Sequence, residues 1–318
     1  MTTISNCPAL ASIPGLDIRE NVPLSSLTRF GIGGPARWLV DASTEEALVT
    51  ALDVIRESGQ PYTLIGGGTN LIAADGGFAG FVLRFTGSRM AFEGTEVTVE
   101  TGARLQDLVD ASIERGLRGL ETMTGIPGWV GGAIYGNAGA YGRSIHELVG
   151  SVRYFDGAGL RELRNAECEF AYRESVFKRR KGWVVLSARL RLEAAEAVEL
   201  KAVADRILLI RNEKYPPSMR CAGSIFKNLL LAELPEAVRR AVPQPVVREG
   251  KVPAGYFLEA VGAKGLKEGD IQVADYHANL IYNSGNGSEA QLRELIRILK
   301  ARVWDRFGLE LEEEIQYI

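Results

Sequence analysis

Three polar side chains stand out in this chain, two of them among small or apolar neighbours. Arg173 lies in Phe170-Ala-Tyr-Arg-Glu-Ser-Val-Phe177. A guanidinium flanked by aromatics could clamp a carboxylate through two parallel hydrogen bonds. From spacing alone, a surface arginine or one paired with Glu174 is the favoured reading. Ser224 lies in Cys221-Ala-Gly-Ser-Ile-Phe-Lys-Asn228, where Gly223 could let a substrate approach the hydroxyl; a turn or helix-capping serine is the alternative. No Gly-x-Ser-x-Gly elbow surrounds it, so a hydrolase nucleophile is not indicated. Glu314 belongs to Glu312-Glu-Glu-Ile315. A run of carboxylates is commonly a solvated face, and spacing does not choose among these three.

Glycine supplies a second kind of chemistry. The segment Gly125-Ile-Pro-Gly-Trp-Val-Gly-Gly-Ala-Ile-Tyr-Gly-Asn-Ala-Gly-Ala-Tyr-Gly142 holds seven glycines and no charged residue. Such a segment can adopt positive φ and let another group lie flat against the backbone. Its N–H groups suit an anion such as a pyrophosphate. Ile65-Gly-Gly-Gly-Thr-Asn-Leu71 offers the same chemistry after a short apolar strand. Either run alone could be a tight turn; two such runs favour a ligand cradle. Gly31-Ile-Gly33-Gly-Pro-Ala36 is not a dinucleotide fingerprint, because Pro35 and a following strand replace the helix that motif opens. The triple glycine is not a P-loop either, since no Gly-Lys-Ser/Thr follows.

The elements that must position these residues alternate between strand and helix without clean βαβ order, which predicts an α+β fold. Pro35–Val40 reads as a strand, and Ser43 with Glu46 as a capping box for a helix carrying Leu48, Leu52 and Ile55 on one face. Tyr62–Ile65 is a short strand before the triple glycine. The pattern is β again from Val82 to about Gly102. A helix with Leu105, Leu108, Val109 and Ile113 follows and closes at Gly116. Beyond the glycine segment come strands at Val149–Phe155 and Gly182–Leu192, then a helix from about Ala194 to Asn212. Pro216 and Pro217 mark a boundary. Helices are predicted at Leu231–Arg240 and Pro253–Val261, with a strand at Asn279–Tyr282. Ser288 and Gln291 cap a strong amphipathic helix that ends at Gly308, and Leu309–Ile318 looks like a final strand.

Composition excludes several classes. The 318 residues carry a net charge of −3 with interspersed signs, so nothing resembles a nucleic-acid-binding stripe. No apolar stretch approaches the roughly 20 residues that span a bilayer, and the first residues lack the features of a signal peptide. Cys7, Cys168 and Cys221 are odd in number and scattered, which predicts reduced thiols in a cytoplasm. With only two histidines and no cysteine cluster, no metal site is expected.

Taken in order, the motifs resemble one family, the UDP-N-acetylenolpyruvoylglucosamine reductases. The resemblance rests on Leu27-Thr-Arg-Phe-Gly-Ile-Gly-Gly-Pro-Ala36, the triple glycine with Asn70, Gly119-Leu-Glu121, Gly125-Ile-Pro-Gly128 and Asn137-Ala-Gly-Ala-Tyr-Gly142. It continues through Tyr172-Arg-Glu-Ser175, Ala222-Gly-Ser-Ile-Phe-Lys-Asn228, His277-Ala-Asn279 and Gly308-Leu-Glu-Leu-Glu-Glu-Glu-Ile315. It implies two FAD-binding lobes of the vanillyl-alcohol-oxidase type (18–86 and 87–212), a substrate domain (213–308) and a closing strand (309–318). By the same resemblance, Gly66, Gly67, Gly68, Thr69, Asn70, Gly125, Ile126, Pro127 and Gly128 would follow the FAD pyrophosphate. Gly131, Gly132, Asn137, Gly139, Ala140 and Tyr141 would flank the flavin. Neither run contains a histidine, so non-covalent FAD is expected.

The family's reaction implies roles for the polar trio. NADPH reduces FAD, and hydride then passes to the terminal carbon of the enolpyruvyl group of UDP-N-acetylglucosamine enolpyruvate. Arg173 would hold the substrate carboxylate where charge develops, Glu314 would polarise that carboxylate, and Ser224 would donate a proton to the adjacent carbon. Lys214 and Asn228 match substrate contacts. The short stretch between Tyr172 and Leu192 matches the subtype without a tyrosine loop. Leu229 to about Val252 is an insert, expected to pack beside the substrate cleft and replace part of the missing cover. Expected partners are the enolpyruvyl substrate and NADPH, with no nucleic acid and no membrane, and the chain a monomer or weak dimer. A sugar or alcohol oxidase sharing the FAD lobes is the alternative, and a non-catalytic nucleotide-binding regulator is a third reading.

Overall fold

The computed structural model describes residues 8–318, so Cys7 and the polar start lie outside the described residues. Two units emerge. The first runs up to Val22 and through Ala36–Gly67 and Phe78–Glu213; the second takes Pro23–Pro35, Gly68–Gly77 and Lys214–Ile318. Both mix helices with sheets, and the fold is α+β.

In the first unit, β1 (Leu16–Pro23), β2 (Pro35–Ala42), β3 (Tyr62–Leu64) and β4 (Phe78–Phe85) lie in the order β1-β2-β4-β3, with β4 parallel to both neighbours. Helix α1 (Glu45–Glu57) turns Ala47, Leu48, Ala51, Leu52 and Ile55 onto Trp38, Val40, Phe81 and Leu83. Each large side chain buried this way contributes roughly 1.5–3 kcal/mol. The cap is Thr44, whose hydroxyl accepts the Ala47 N–H; Ser43, the residue the sequence favours, donates to the Gly15 carbonyl instead.

The second sheet joins β5 (Met90–Glu93), β6 (Glu96–Glu100), β7 (Val149–Phe155), β8 (Leu160–Arg164) and β9 (Val184–Arg191). Its order is β8-β7-β9-β6-β5, antiparallel throughout. Helix α2 (Leu105–Glu114) presses Leu105, Leu108, Val109 and Ile113 into the core with Val97, Val99 and Leu190. Helix α3 (Val130–Tyr135) occupies part of the glycine segment, and α4 (Ala197–Lys214) runs to the diproline.

In the second unit, β10 (Cys221–Ser224), β11 (Ile271–Ala274) and β12 (His277–Asn283) belong to a four-stranded antiparallel sheet in the order β10-β12-β11, with the short strand Lys267–Glu268 at the edge beyond β11. Helices α5 (Ala254–Ala260) and α6 (Glu289–Phe307) cover it. The α6 ends match the sequence: Ser288 and Gln291 form a full capping box, and Gly308 closes the helix at φ 63. Its Leu292, Leu295, Ile296, Leu299 and Val303 pack with Phe226, Phe257, Val273 and Ile281.

Two expectations are corrected here. The insert is not one helix over 231–240. Leu231–Glu233 is a 3-10 turn and Glu236–Ala241 a separate short helix, because Pro235 lacks the N–H a continuous helix needs and disfavours helical geometry before it. The insert is closed at its base by pairing of Leu229–Leu230 with Lys251–Val252, and it buries Leu234, Val242 and Val252 in the second unit's core. The tail is also not a continuous strand. Phe226 bridges Glu313, after which Gln316–Tyr317 runs parallel to Leu71–Ile72, so the tail changes partner part-way.

Candidate active site

Within the first unit the two glycine runs meet. A Cβ added to Gly67 would stand 3.2 Å from the Gly128 Cα and 3.1 Å from Trp129 Cδ1. Trp129 is in turn covered by Arg84, whose guanidinium carbon lies 5.5 Å from its ring centre and which is fixed by Asp41. The Gly128 carbonyl accepts the Leu105 N–H at 3.0 Å, and Gly131 N–H donates to the Thr101 carbonyl at 2.9 Å, so the loop is strung along the start of α2. Gly66 and Gly132 face open ground, since a Cβ on either meets no atom within 4 Å. Bare backbone beside open space is what a flat ring system and its phosphates require, and these residues fit a flavin nucleotide.

The other residues assigned to FAD behave differently from one another. Gly68 has φ +64, and a Cβ there would fall 1.8 Å from the Leu27 carbonyl oxygen, so this glycine is demanded by the second unit's own packing. Thr69 follows it, half-buried. Asn70 spends its amide on the Glu314 carbonyl at 3.0 Å. Gly125 has φ +76 and lies over Arg211 and Leu208 of α4. Ile126 turns its side chain into the apolar core, leaving its backbone, while Pro127 is exposed. Asn137 is buried and spans Ala171, to whose carbonyl it donates at 2.8 Å, and the His146 N–H. Gly139–Ala140 pairs with Arg143–Ser144 in a tight hairpin whose tip, Tyr141, is exposed.

Arg173 sits on the same unit beside this hairpin, its Nη2 donating to the Gly139 carbonyl at 3.3 Å. The residue is held at φ 58, in the left-handed region that a side chain rarely adopts. A two-way pairing between Ala171 and Glu174 forms the turn, and the Lys178 ammonium holds both the Arg173 carbonyl and the Glu174 carboxylate at 2.8 Å. Fully buried Ser175 donates to the Tyr135 carbonyl at 2.7 Å, tying the turn to the end of α3. Strain of this kind persists where surrounding bonds over-determine it, and it clusters at functional positions.

In the second unit the backbone of Glu314 lies alongside the segment that follows Ser224. Glu314 N–H donates to the Ile225 carbonyl at 2.7 Å, and Lys227 N–H to the Glu312 carbonyl at 2.9 Å, so 312–314 runs beside 225–227. The three glutamates separate by partner. The Glu312 carboxylate meets the Lys227 ammonium at 2.5 Å. Glu313 accepts from Lys300 at 3.0 Å and from the Tyr317 hydroxyl at 2.6 Å, on the side of α6. Along an extended chain the next side chain points the opposite way, which turns Glu314 from α6. Gly223, just before Ser224, has φ +77 and nothing within 4 Å of where a Cβ would be. Buried Asn279 of β12 exchanges two hydrogen bonds with the Phe226 backbone, at 2.9 and 2.8 Å, and so fixes the chain just past Ser224.

Lys214 ends α4, its backbone carbonyl accepting from the Tyr276 hydroxyl at 3.0 Å; the Asn228 side-chain oxygen Oδ1 accepts the Ala254 N–H at 3.3 Å. Two side chains near Ser224 carry no assignment from the sequence. The Tyr215 hydroxyl lies 3.4 Å from Ser224 Oγ, and its ring centre is 6.4 Å from that of His277. Burial, then the Lys214 charge, push the His277 imidazole down to about 4, and its Nδ1 accepts the Asn279 N–H. The signal for Tyr215 was its place before two prolines, which stiffen the path to β10.

Comparison with known proteins agrees with this geometry. Residues 36–162 match the model of a FAD-binding domain, and 215–318 match that of the UDP-N-acetylenolpyruvoylglucosamine reductase C-terminal domain. The chain is 56% identical to UDP-N-acetylenolpyruvoylglucosamine reductase of Solibacter usitatus, covering 97% of this chain and 99% of that one. It is 34% identical to the Clostridioides difficile protein of that name, over 95% and 93%. The crystal structure of UDP-N-acetylenolpyruvylglucosamine reductase from Thermus caldophilus matches with a TM-score of 0.73 at 29% identity, over 95% of this chain and 98% of that one. The chain belongs to the UDP-N-acetylenolpyruvoylglucosamine reductase family.

Proposed function

We propose that this chain reduces UDP-N-acetylglucosamine enolpyruvate to UDP-N-acetylmuramate with NADPH and FAD, in peptidoglycan precursor synthesis. One observation supports the reading most directly: the 2.7 Å bond from Glu314 N–H to the Ile225 carbonyl, which runs the Glu314 backbone alongside the residue that follows Ser224. The chemistry that bound FAD supplies is hydride transfer, from NADPH to the terminal carbon of the enolpyruvyl group. Arg173 binds the substrate carboxylate and stabilises the negative charge that develops beside it. Ser224 delivers a proton from Oγ to the carbon bearing that carboxylate, and Glu314 orients and polarises the carboxylate.

FAD is held along Gly66–Asn70 and Gly125–Gly128, with Gly131, Gly132, Asn137, Gly139, Ala140 and Tyr141 at the flavin. This assignment is supported by the meeting of Gly67 with Gly128 and by the open ground at Gly66 and Gly132. Asn137 and Ile126 contribute backbone, since their side chains are otherwise engaged. Lys214 and Asn228 contact the substrate's diphosphate or sugar. The lobe division at 18–86 and 87–212 is supported by the two separate sheets of the first unit, while 23–35 and 68–77 group with the second unit. A monomer or weak dimer in the cytoplasm belongs to the same reading; the buried free thiols Cys168 and Cys221 are consistent with the compartment.

The test is NADPH oxidation by the FAD-loaded protein on addition of the enolpyruvyl UDP-sugar. Substrate-dependent consumption is expected. A folded, FAD-loaded protein with none, or one that consumes oxygen with simple sugars, overturns the proposal.

A further inference from the structure

An aliphatic hydroxyl is a weak acid, and once its proton has gone to carbon it leaves an alkoxide that needs a donor. Tyr215 reaches Ser224, its hydroxyl 3.4 Å from Oγ. That distance is longer than an ordinary O–H···O bond, and contacts of this kind commonly shorten once substrate is bound. Tyr215 follows the last residue of α4 and is followed by Pro216 and Pro217, whose φ is fixed. Met219 N–H closes on the Pro216 carbonyl at 2.9 Å, and Cys221 N–H on the Met219 carbonyl at 3.1 Å, so the chain turns directly into β10. The ring packs on the apolar group Cys221, Ala274 and Leu280, and the Lys214 ammonium lies 5.1 Å from its centre. A stiff turn, an apolar seat and a cation over the face hold the ring, while the half-buried residue keeps access to water.

We propose that Tyr215 is a positioning residue that orients the Ser224 hydroxyl and restores its proton after transfer. The inference rests on the reading of Ser224 as proton donor. The enolpyruvyl double bond gains a hydride at its terminal carbon, and the carbon bearing the carboxylate takes the proton from Ser224 Oγ. The bonding pair stays on that oxygen. The Tyr215 O–H bond then breaks, its proton passes to Oγ, and the phenolate recovers a proton from water. The direction is downhill, because a phenol is a stronger acid than an aliphatic alcohol. The reaction adds one hydride and one proton to the substrate and returns both side chains unchanged.

The experiment separates the two halves of turnover in the FAD-loaded enzyme by stopped flow, with FAD content as the folding control. Tyr215→Phe keeps the ring and removes only the hydroxyl. Flavin reduction by NADPH should be unchanged. Reoxidation by UDP-N-acetylglucosamine enolpyruvate should slow by about tenfold to a hundredfold, with the substrate KM unmoved and a larger solvent deuterium isotope effect. Because Tyr215 acts through Ser224, Tyr215→Phe should add nothing in a Ser224→Ala background. Equal slowing in both backgrounds, or normal reoxidation in Tyr215→Phe beside a slow Ser224→Ala, overturns the role of Tyr215 alone. Normal reoxidation in Ser224→Ala overturns the reading of Ser224 and this inference with it.

Discussion

The glycine loops and the carboxylate strand are both held by backbone hydrogen bonds, but they fail in opposite ways. The loop at Gly128 and Gly131 is pinned to Leu105 and Thr101, residues close by in the chain, and what it offers is the absence of side chains at Gly66 and Gly132. The strand at 312–314 is pinned to 225–227, far away in sequence, and what it offers is register. Adding atoms spoils the first. Slipping by one residue spoils the second, because it exchanges the face carrying Glu313 for the face carrying Glu314. The cradle proposed for the cofactor can therefore be written locally, whereas the carboxylate proposed for catalysis, carried on a strand, depends on long-range pairing.

The largest effect should come from testing the register. Glu314→Gln keeps the side chain's shape and should lower kcat by roughly 10²–10⁴-fold, measured as substrate-dependent NADPH oxidation. Glu313→Gln should leave kcat near the parent value and lower the unfolding free energy by about 1 kcal/mol, because it weakens the bonds from Lys300 and Tyr317. If Glu313→Gln were the inactive variant, the alternation that turns Glu314 from α6 would be wrong.

The loop is broken from the other side, by adding a methyl group. Gly68→Ala combines a left-handed φ with a Cβ 1.8 Å from the Leu27 oxygen. The conformational cost is about 1–2 kcal/mol, and overpacking adds typically 1–3 kcal/mol, so thermal unfolding should shift markedly. Gly66→Ala meets no protein atom within 4 Å and has no φ penalty. Its unfolding temperature without flavin should match the parent, while its flavin-to-protein absorbance ratio falls. Full FAD retention in Gly66→Ala would remove this loop from the cofactor site.

These contrasts explain what the sequence could and could not disclose. The ends of α6 were legible because Ser288, Gln291 and Gly308 act within one turn of the helix they cap. The α1 cap was misplaced by one residue because Ser43 and Thr44 both carry hydroxyls, and a distant partner, the Gly15 carbonyl, occupies the first. The break in the insert was written in Pro235 and overlooked in favour of helical periodicity. At the candidate site, the glycine runs stand out by composition. The choice among three glutamates does not, since Lys227, Lys300 and Tyr317 become neighbours only after folding. Ser175 and Asn279 were hidden for the same reason: each is a buried polar residue whose partner is a distant backbone group. Asn279→Leu probes this second kind of support. Leaving the Phe226 N–H unpaired should cost about 1–3 kcal/mol of stability, and the strand past Ser224 should exchange its amide protons faster, while flavin content stays intact.

The smallest expected effect is one of pH, and it belongs to the strand side of the comparison. His277 opens β12, and burial with the nearby Lys214 and Lys264 charges pushes it down to about 4 from its ordinary 6.5, against smaller opposing pulls from a backbone hydrogen bond and Glu259. Between those values the unfolded chain takes up a proton that the folded imidazole refuses. Stability from this group is therefore fully present above pH 6.5 and declines as the pH falls toward 4. Allowing for partial access of water, the difference between pH 7 and pH 5 is about 1 kcal/mol. Urea midpoints at the two pH values measure it, and His277→Gln should lose less stability on acidification than the parent. An equal loss in both would assign the acid sensitivity to other groups and leave the β12 strand no more pH-dependent than the glycine loops.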